Sequence, residues 1–110
     1  GGMVVDGSIR DALSIKKSGF PVFCRAATAS ASVKTGGGKI NVPVACGGVV
    51  VQPGDIIVGD ADGVVVIPQE AEEECLRLAE QKLKRDELRA AEGLKSPEAA
   101  RAYLAKLLGK

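Results

Sequence analysis

Histidine and tryptophan are missing from this sequence, and only three of its 110 residues are aromatic. The absence of histidine excludes Ser-His-Asp triads, histidine-ligated zinc and imidazole acid–base catalysis within the chain. Catalysis here would have to use carboxylates, lysine, arginine, cysteine or a hard metal ion. A net charge of +1, no basic face in either half and few side chains that could stack on bases argue against nucleic-acid binding.

Cysteine is scarce, and long apolar runs are absent from the sequence. The three cysteines, Cys24, Cys46 and Cys75, are odd in number and form no C-x-x-C motif. No apolar run reaches the roughly 18 residues of a membrane-spanning helix, and no segment resembles a signal peptide. We therefore expect free thiols in a reducing cytoplasm and no membrane partner.

Residues 1–68 alternate β-branched segments with glycine and proline, which is typical of short strands and tight turns. The pattern predicts a buried strand over residues 3–6, a helix over 9–17 that stops at Gly19, and a strand over 22–26. A strand, a helix and a strand at this spacing form a βαβ-like unit. Further strands are predicted over residues 40–44, 49–51, 55–59 and 64–67. The glycines at Gly47-Gly48 are among the hairpin or bulge signals that separate them.

Residues 69–110 are predicted to form a charged helical arm that packs on the core or on a neighbouring subunit. A long helix covers residues 69–92, and a second begins at Ser96 as its cap, with Pro97 in the first turn. This second helix is expected to stop at Gly109. It is expected to bury Ala100, Tyr103, Leu104, Leu107 and Leu108.

The segment of residues 6–11, Asp-Gly-Ser-Ile-Arg-Asp, is the most informative motif. In a structural interpretation, Ser8 caps the helix and Asp11 completes a capping box, with Arg10 left in solvent. In a functional interpretation, Arg10 makes a two-point contact with an anion held at the same turn, and Asp11 coordinates Mg²⁺ or Mn²⁺. Spacing alone favours the structural interpretation.

Three other motifs favour structural roles. Residues 34–39 contain two lysines around a glycine run but lack the phosphate-loop spacing, and Ile40 stands where the magnesium-binding hydroxyl would be. Residues 60–63 open like a calcium loop but lack its distal glutamate, so a tight turn is expected. Cys46 is expected to be a small buried residue, because no basic partner lies near it in the sequence.

Several segments, taken together and in order, resemble the RraA-like family. These segments are residues 2–11, 19–23, 38–44, 47–55 and 59–68. The family includes 4-hydroxy-4-methyl-2-oxoglutarate aldolases with oxaloacetate decarboxylase activity, regulators of ribonuclease E, and members misnamed demethylmenaquinone methyltransferases. The resemblance implies an α/β, three-layer β/β/α swivelling-domain fold with a C-terminal helical arm. It also implies a homotrimer or homohexamer with a divalent metal site at the subunit interface.

By position, the resemblance makes Arg10 the substrate-contacting catalytic arginine and Asp11 the metal-coordinating aspartate. Glu87 is the nearest match to an interface glutamate that reaches the metal from a neighbouring subunit through water. The regulators of ribonuclease E replace the aspartate with a residue that cannot be a ligand, so the presence of Asp11 favours the aldolase branch. The implied function is a Mg²⁺- or Mn²⁺-dependent lyase that cleaves a C–C bond of a 2-oxo acid. The alternative is a non-catalytic oligomeric binding module.

The resemblance covers the C-terminal half of the family's length. The other half carries a glycine-containing loop that grips the substrate carboxylate and a further acid near the metal. We therefore expect this chain to hold part of a site, which a missing N-terminal half or a second chain would complete, unless the activity has been lost.

Overall fold

The computed structural model describes residues 1–93 and 95–109. The described chain forms two compact units, one from Gly1 to Gln69 and one from Glu70 onward. The first unit contains β1 (Met3–Ile9), α1 (Ala12–Ser18), β2 (Val22–Ala27), β3 (Val44–Cys46), β4 (Val49–Val51), β5 (Ile56–Gly59) and β6 (Val64–Ile67). A 3-10 helix (Gln69–Ala71) is followed by α2 (Glu72–Gly93) and α3 (Pro97–Leu107).

Strands β1 and β2 pair in parallel and are joined by α1, which confirms the predicted βαβ-like unit. The pairing is irregular between Val5 and Ser8, because three steps along β1 there match two steps along β2. One extra residue of this kind is a β-bulge. Glycine within a strand often marks a bulge, and Gly7 lies in this one. The bulge includes Asp6.

The predicted boundary between the first strand and the first helix is wrong. β1 continues to Ile9, and α1 begins only at Ala12. The backbone at Ile9 pairs with β2 and also accepts a hydrogen bond from Thr28 N–H at 2.8 Å, and this nonlocal pairing overrides the local capping pattern. The end of α1 is as predicted, since Gly19 adopts a left-handed φ of 71° and its N–H donates to the Lys16 carbonyl.

Two antiparallel hairpins, β3–β4 and β5–β6, complete the first unit. Gly47 and Gly48 form the two-residue loop of the first hairpin with φ values of 61° and 79°, as a type I′ turn requires. The strand predicted over residues 40–44 is wrong, because β3 begins only at Val44. Asn41 adopts a left-handed φ of 54° and Pro43 has no N–H to donate to a ladder, so neither favours an extended paired strand.

Two contacts link the three two-stranded sheets. The N–H of Gly47, in the β3–β4 turn, donates to the Asp6 carboxylate on β1 at 2.9 Å. The ring of Phe23 on β2 lies against Gly59 at the end of β5, where a Cβ would come within 2.5 Å of the ring carbon Cζ. Residue 59 must therefore be glycine for the ring to keep this position.

Apolar burial is shallow across residues 1–93 and 95–109, where no apolar side chain is fully buried. Large apolar residues on the strands, such as Met3, Val44 and Val49, remain about half exposed. A folded domain ordinarily hides such side chains in a core. Much of the apolar surface of the described residues is therefore accessible to solvent.

In the second unit, Ser96 caps α3 as predicted, because its hydroxyl accepts a hydrogen bond from Ala99 N–H at 3.1 Å. Tyr103 packs on Gly93, whose Cβ position would lie 3.7 Å from the ring. The predicted burial is confirmed in part for Ala100 and Tyr103, which are half-buried. It is wrong for three leucines, which are more than half exposed because the unit's other described helix does not cover them. They are Leu104, Leu107 and Leu108.

Candidate functional site

Arg10 and Asp11 occupy the connection between the carboxyl end of β1 and the start of α1. In α/β proteins, ligands commonly bind outside the carboxyl ends of parallel strands. The Arg10 Nε atom lies 3.4 Å from the Asp11 Oδ2 atom, and the two side chains are 48% and 70% exposed. The structure thus places a guanidinium and a carboxylate side by side where a ligand can reach both.

The backbone of Asp11 is left-handed, with φ 59° and ψ 32°. This conformation brings the Cβ of an L-residue too close to the following carbonyl, at a cost of roughly 1–2 kcal/mol for most residue types. Asp11 stands at the N-cap position of α1, yet its side chain makes no capping hydrogen bond. Left-handed residues other than glycine are concentrated at functional sites, although aspartate tolerates this conformation better than most types. The Asp11 carboxylate lies beside Arg10 and is exposed, so a ligand can reach it.

The capping-box interpretation of this segment is wrong. Ser8 belongs to β1 and pairs with Ala26, so it does not start the helix. Because α1 has only seven residues, we assign the helix no part in attracting an anion. The Arg10 guanidinium is therefore the group at this turn that can hold a carboxylate or phosphate, by two parallel N–H···O bonds.

A second polar cluster, formed by Asp6, Arg25 and the Gly47 amide, was missed in the sequence analysis. Arg25 on β2 donates from Nε to the Asp6 carboxylate, which also accepts the Gly47 N–H. The hydrogen bond from Arg25, and then that from Gly47, hold the pKa of the Asp6 carboxyl below its ordinary value. The same bond to Asp6 raises the pKa of Arg25.

This cluster joins all three segments β1, β2 and the β3–β4 turn. Asp6 lies in the bulge of β1, so the cluster fixes the strand shortly before it reaches Arg10. Gly7 inside an apolar strand was the available signal for the bulge. The partners could not be predicted, because Arg25 and Gly47 lie 19 and 41 residues from Asp6 in the sequence.

The described residues do not gather a complete set of metal ligands. Across residues 1–93 and 95–109, no three acidic or cysteine side chains converge on a point that could hold a metal ion. Asp11 offers one exposed carboxylate, which suits Mg²⁺, since this ion is often bound through one or two carboxylates with several waters. Glu87 is exposed on α2, and its predicted role at the metal remains a prediction.

The remaining motifs behave structurally. Residues 34–39 form neither strand nor helix and are exposed. Asp60 closes the β5–β6 turn by accepting the N–H groups of Asp62 and Gly63, which confirms a tight turn. Cys46 is half-buried rather than buried, and all three cysteines are free thiols, as predicted. In the described part of the chain, no helix is long and apolar enough to cross a membrane.

Comparison with known proteins yields consistent matches in sequence. The profile of the family described as "RraA-like: Aldolase/RraA" matches residues 1–66. A Halalkalibacterium halodurans protein, provisionally named as a 4-hydroxy-4-methyl-2-oxoglutarate aldolase, is 53% identical over 107 residues, which cover 97% of this chain and 51% of that protein. The Thermus thermophilus 4-hydroxy-4-methyl-2-oxoglutarate aldolase is 35% identical over 68 residues, or 62% of this chain and 42% of that one.

The structural comparison agrees with the sequence matches. The crystal structure of Streptomyces coelicolor RraAS2, described as an unusual member of the RNase ES inhibitor RraA protein family, superposes with a TM-score of 0.73 at 34% identity. The match covers 83% of this chain and 48% of that one. The predicted α/β fold of the RraA-like type is confirmed. The chain spans about half the length of the named relatives it matches.

Proposed function

We propose, since this chain belongs to the RraA-like family, that Arg10 and Asp11 are part of the active site of a lyase that cleaves a C–C bond of a 2-oxo acid. The single observation that carries the proposal is the turn between β1 and α1. There an exposed guanidinium and a strained, uncapped carboxylate lie 3.4 Å apart. The names of the two aldolase relatives support the same reaction class.

The proposed substrates are oxaloacetate and 4-hydroxy-4-methyl-2-oxoglutarate. When oxaloacetate loses carbon dioxide, the electron pair of the broken C–C bond moves onto the keto oxygen and leaves the enolate of pyruvate. A proton then adds at C3 to give pyruvate. In the retro-aldol cleavage of 4-hydroxy-4-methyl-2-oxoglutarate, the C4 hydroxyl gives up its proton to a base or to water as the C3–C4 bond breaks. The C4 side leaves as pyruvate, and the other product is the enolate of pyruvate, which takes up a proton at C3.

Arg10 supplies a fixed positive charge beside the oxygen on which negative charge develops, and it orients the substrate carboxylate. One preorganised contact of this type is commonly worth about 3–4 kcal/mol in the transition state. The guanidinium remains charged at any working pH, so this contribution does not depend on proton uptake. The chain has no histidine, so the proton added at C3 comes from water or from a side chain of another type.

Asp11 fits a hard divalent ion as one ligand, because its carboxylate is exposed and makes no cap bond. Bound Mg²⁺ or Mn²⁺ would act as a Lewis acid that stabilises an oxyanion. The remaining ligands would come from the substrate, from water or from residues beyond this turn, and Glu87 of a neighbouring subunit is proposed to reach the metal through water. A trimeric or hexameric assembly is part of the same proposal.

The test is a coupled assay of pyruvate release from oxaloacetate, run with Mg²⁺ and with chelator. The assay is run on this chain and on any longer polypeptide that includes it. Each rate of pyruvate release is compared with the rate from metal ions alone. We expect chelator-sensitive turnover. We expect Asp11→Ala to lower it at least 100-fold and Arg10→Lys at least 10-fold, because an ammonium cannot form the planar two-point contact.

Matched controls use groups of the same charge away from the turn. Asp62→Asn in the β5–β6 turn and Arg101→Lys on α3 should each retain turnover within about twofold of the unmodified chain. Near-normal turnover in Arg10→Lys would contradict the role of Arg10. Turnover that chelator does not change would contradict the role of Asp11.

The second candidate is a non-catalytic regulator, and the superposition on the RNase ES inhibitor family member favours it. Such a module would fold, oligomerise and bind its protein partner equally well with and without metal. Silence in the pyruvate assay from a well-folded oligomer would support this candidate over the lyase.

A further inference from the structure

The β-bulge in β1 lies shortly before the turn that carries Arg10 and Asp11. Val5 and Ser8 of β1 pair with residues two positions apart on β2, so β1 holds one residue more than its partner over this stretch. Side chains alternate between the two faces of a strand, and an extra residue therefore changes the face that every later side chain takes. The direction in which β1 delivers Arg10 and Asp11 thus depends on the bulge.

Asp6 is the residue of the bulge whose side chain is bonded to other elements of the unit. Its Oδ1 atom accepts the Nε–H of Arg25 on β2, and its Oδ2 atom accepts the Gly47 N–H of the β3–β4 turn at 2.9 Å. Hydrogen bonds to a carboxylate are stronger than those between neutral groups. A slip of β1 by one residue would break both of these bonds, so the Asp6 carboxylate opposes such a slip.

The register that is set at the bulge continues to the turn. The Ile9 carbonyl, immediately before Arg10, accepts the Thr28 N–H at 2.8 Å. Beyond the turn, the Asp11 carbonyl accepts the Ile15 N–H at 3.0 Å in the first turn of α1. The turn is therefore held at both ends, and at the strand end its position depends on the register of β1.

The carboxylates of Asp6 and Asp11 differ in what remains available to a ligand. Both oxygens of Asp6 already accept hydrogen bonds, from Arg25 and Gly47, and its side chain is 36% exposed. The Asp11 side chain makes no cap bond and is 70% exposed. Asp6 is therefore suited to hold backbone in place, and Asp11 to contact a ligand.

We infer that Asp6 and Arg25 are positioning residues for the Arg10–Asp11 site, because their ion pair holds the bulge of β1 and thereby fixes the direction of both side chains at the turn. In its kinetic part, the inference rests on the proposed function. In its structural part, the dependence of the end of β1 on Asp6 can be measured without any turnover.

The kinetic test compares Asp6→Ala with Asp55→Ala in the pyruvate assay, using this chain and any longer polypeptide that includes it. Asp55 is a matched control, because its carboxylate also accepts a backbone N–H, that of Gln52 at 2.8 Å, but in the turn between β4 and β5. A variant that merely contains less folded protein has a lower apparent kcat and an unchanged KM. Misplaced Arg10 and Asp11 would instead raise the KM for oxaloacetate and the Mg²⁺ concentration that gives half-maximal turnover.

We expect Asp6→Ala to raise both of these values and to lower kcat/KM by about 10-fold or more, because small displacements of reacting groups are costly. Asp55→Ala should keep both values within about twofold. Unchanged values in a folded Asp6→Ala variant that still releases pyruvate would overturn the positioning role.

Two substitutions of Arg25 separate its charge from its shape. The bond to Asp6 comes from the Nε atom, so one ammonium N–H can replace it. Arg25→Lys should therefore lower kcat/KM less than threefold, whereas Arg25→Met should lower it as much as Asp6→Ala does. Combining Asp6→Ala with Arg25→Met should cost no more than either change alone, since both remove the same ion pair. Additive losses would contradict a shared role.

The structural test is hydrogen exchange at the Thr28 amide, which bonds to Ile9 at the end of β1. Its exchange should be at least 10-fold faster in Asp6→Ala and within twofold of the unmodified chain in Asp55→Ala. Circular dichroism checks the folding of each variant. If Asp6→Ala does not fold, Asp6→Asn replaces it in both tests, because its amide oxygen can still accept the Gly47 N–H.

The two tests distinguish failure of the inference from failure of the proposed lyase. Unchanged Thr28 exchange in the Asp6 variant would overturn the inference, with or without pyruvate release. If the unmodified polypeptide released no pyruvate but Thr28 exchange rose in the Asp6 variant, the lyase would be contradicted and the control of β1 by Asp6 supported.

Discussion

At the scale of single residues, Asp11 joins backbone strain and an available carboxylate in one position. The sequence allowed Asp11 to be either a capping acid or a ligand, since both interpretations need an acid near a helix start. The structure separates them, because Ser8 lies in β1 and the Asp11 side chain makes no cap bond. A local pattern could not decide this, since the extension of β1 depends on pairing with β2.

Substitutions at Asp11 should separate its backbone strain from its chemistry. The free energy of unfolding of Asp11→Gly should exceed that of Asp11→Ala by about 1–2 kcal/mol, because alanine keeps a Cβ that clashes in the left-handed conformation and glycine has none. Both variants should lose metal-dependent turnover. Chemical denaturation measures the stabilities.

Ser14 within α1 is the matched control for this comparison. In a right-handed helix alanine is more favourable than glycine, the reverse of the order expected at residue 11. Ser14→Ala should therefore be more stable than Ser14→Gly by about 1 kcal/mol. Equal stabilities of Asp11→Gly and Asp11→Ala would contradict the strained conformation at that residue.

The Asp6–Arg25 pair predicts a pH dependence of stability. Because the folded pKa of Asp6 is lowered by Arg25 and Gly47, the folded chain binds this proton less readily than the unfolded chain does. The contribution is therefore fully present above the ordinary aspartate pKa of about 3.9 and is lost as the pH falls through the lower folded value.

Denaturant unfolding of the unmodified chain and of Asp6→Asn, measured between pH 6 and pH 2.5, tests this dependence. The difference in free energy of unfolding between the two should shrink as the medium is acidified. Arg25→Gln should remove most of the same pH-dependent difference, because Arg25 is the largest cause of the shift. If the difference in free energy of unfolding between the unmodified chain and Asp6→Asn stayed constant down to pH 2.5, the stabilising role of the Asp6–Arg25 ion pair would be contradicted.

At the scale of elements, turns and the α3 cap were predicted better than strand ends, and the predicted Ser8 cap failed because β1 extends through Ser8. Gly19, the Gly47-Gly48 turn and the Ser96 cap depend on local backbone conformation, and all three are found as predicted. The ends of β1 and β3 depend on partners far away in the chain, and both were predicted wrongly. For the same reason Arg10 and Asp11 could be proposed as candidate site residues from one segment, whereas the Asp6–Arg25–Gly47 cluster could not be predicted.

The cap of α3 gives a test at this scale. Ser96→Ala should lower the free energy of unfolding by about 1 kcal/mol, because the Ala99 N–H loses its acceptor. Ser96→Asp should keep stability near that of the unmodified chain, since its carboxylate can accept the same bond. Helicity and thermal unfolding followed at 222 nm measure both, and an unchanged Ser96→Ala variant would contradict the cap.

At the scale of the whole molecule, the main feature is an α/β fold whose described apolar residues are nowhere fully buried. Composition alone could not reveal this, because 45% apolar residues would suffice for an ordinary core. The named relatives are about twice as long as the stretch they share with this chain, and we propose that residues outside this stretch contribute to the site at Arg10 and Asp11.

This exposure predicts how the chain behaves in solution. Alone, it should bind an apolar dye such as ANS strongly and should self-associate with rising concentration, because exposed strand edges and apolar surface favour both. Addition of the unmatched half of the Halalkalibacterium halodurans relative should lower the dye fluorescence at least threefold. Fluorescence that does not fall in a complex shown to form would contradict this account of the surface.

Pyruvate release from oxaloacetate is the measurement that tests the central claim most directly. It is made with Mg²⁺ on three samples, namely this chain, the unmatched half of the relative, and their purified complex. We predict turnover above the metal-only background in the complex, abolished by chelator and by Asp11→Ala in this chain. A well-formed complex that releases no pyruvate, or that loses none of its turnover with Asp11→Ala, would contradict the account.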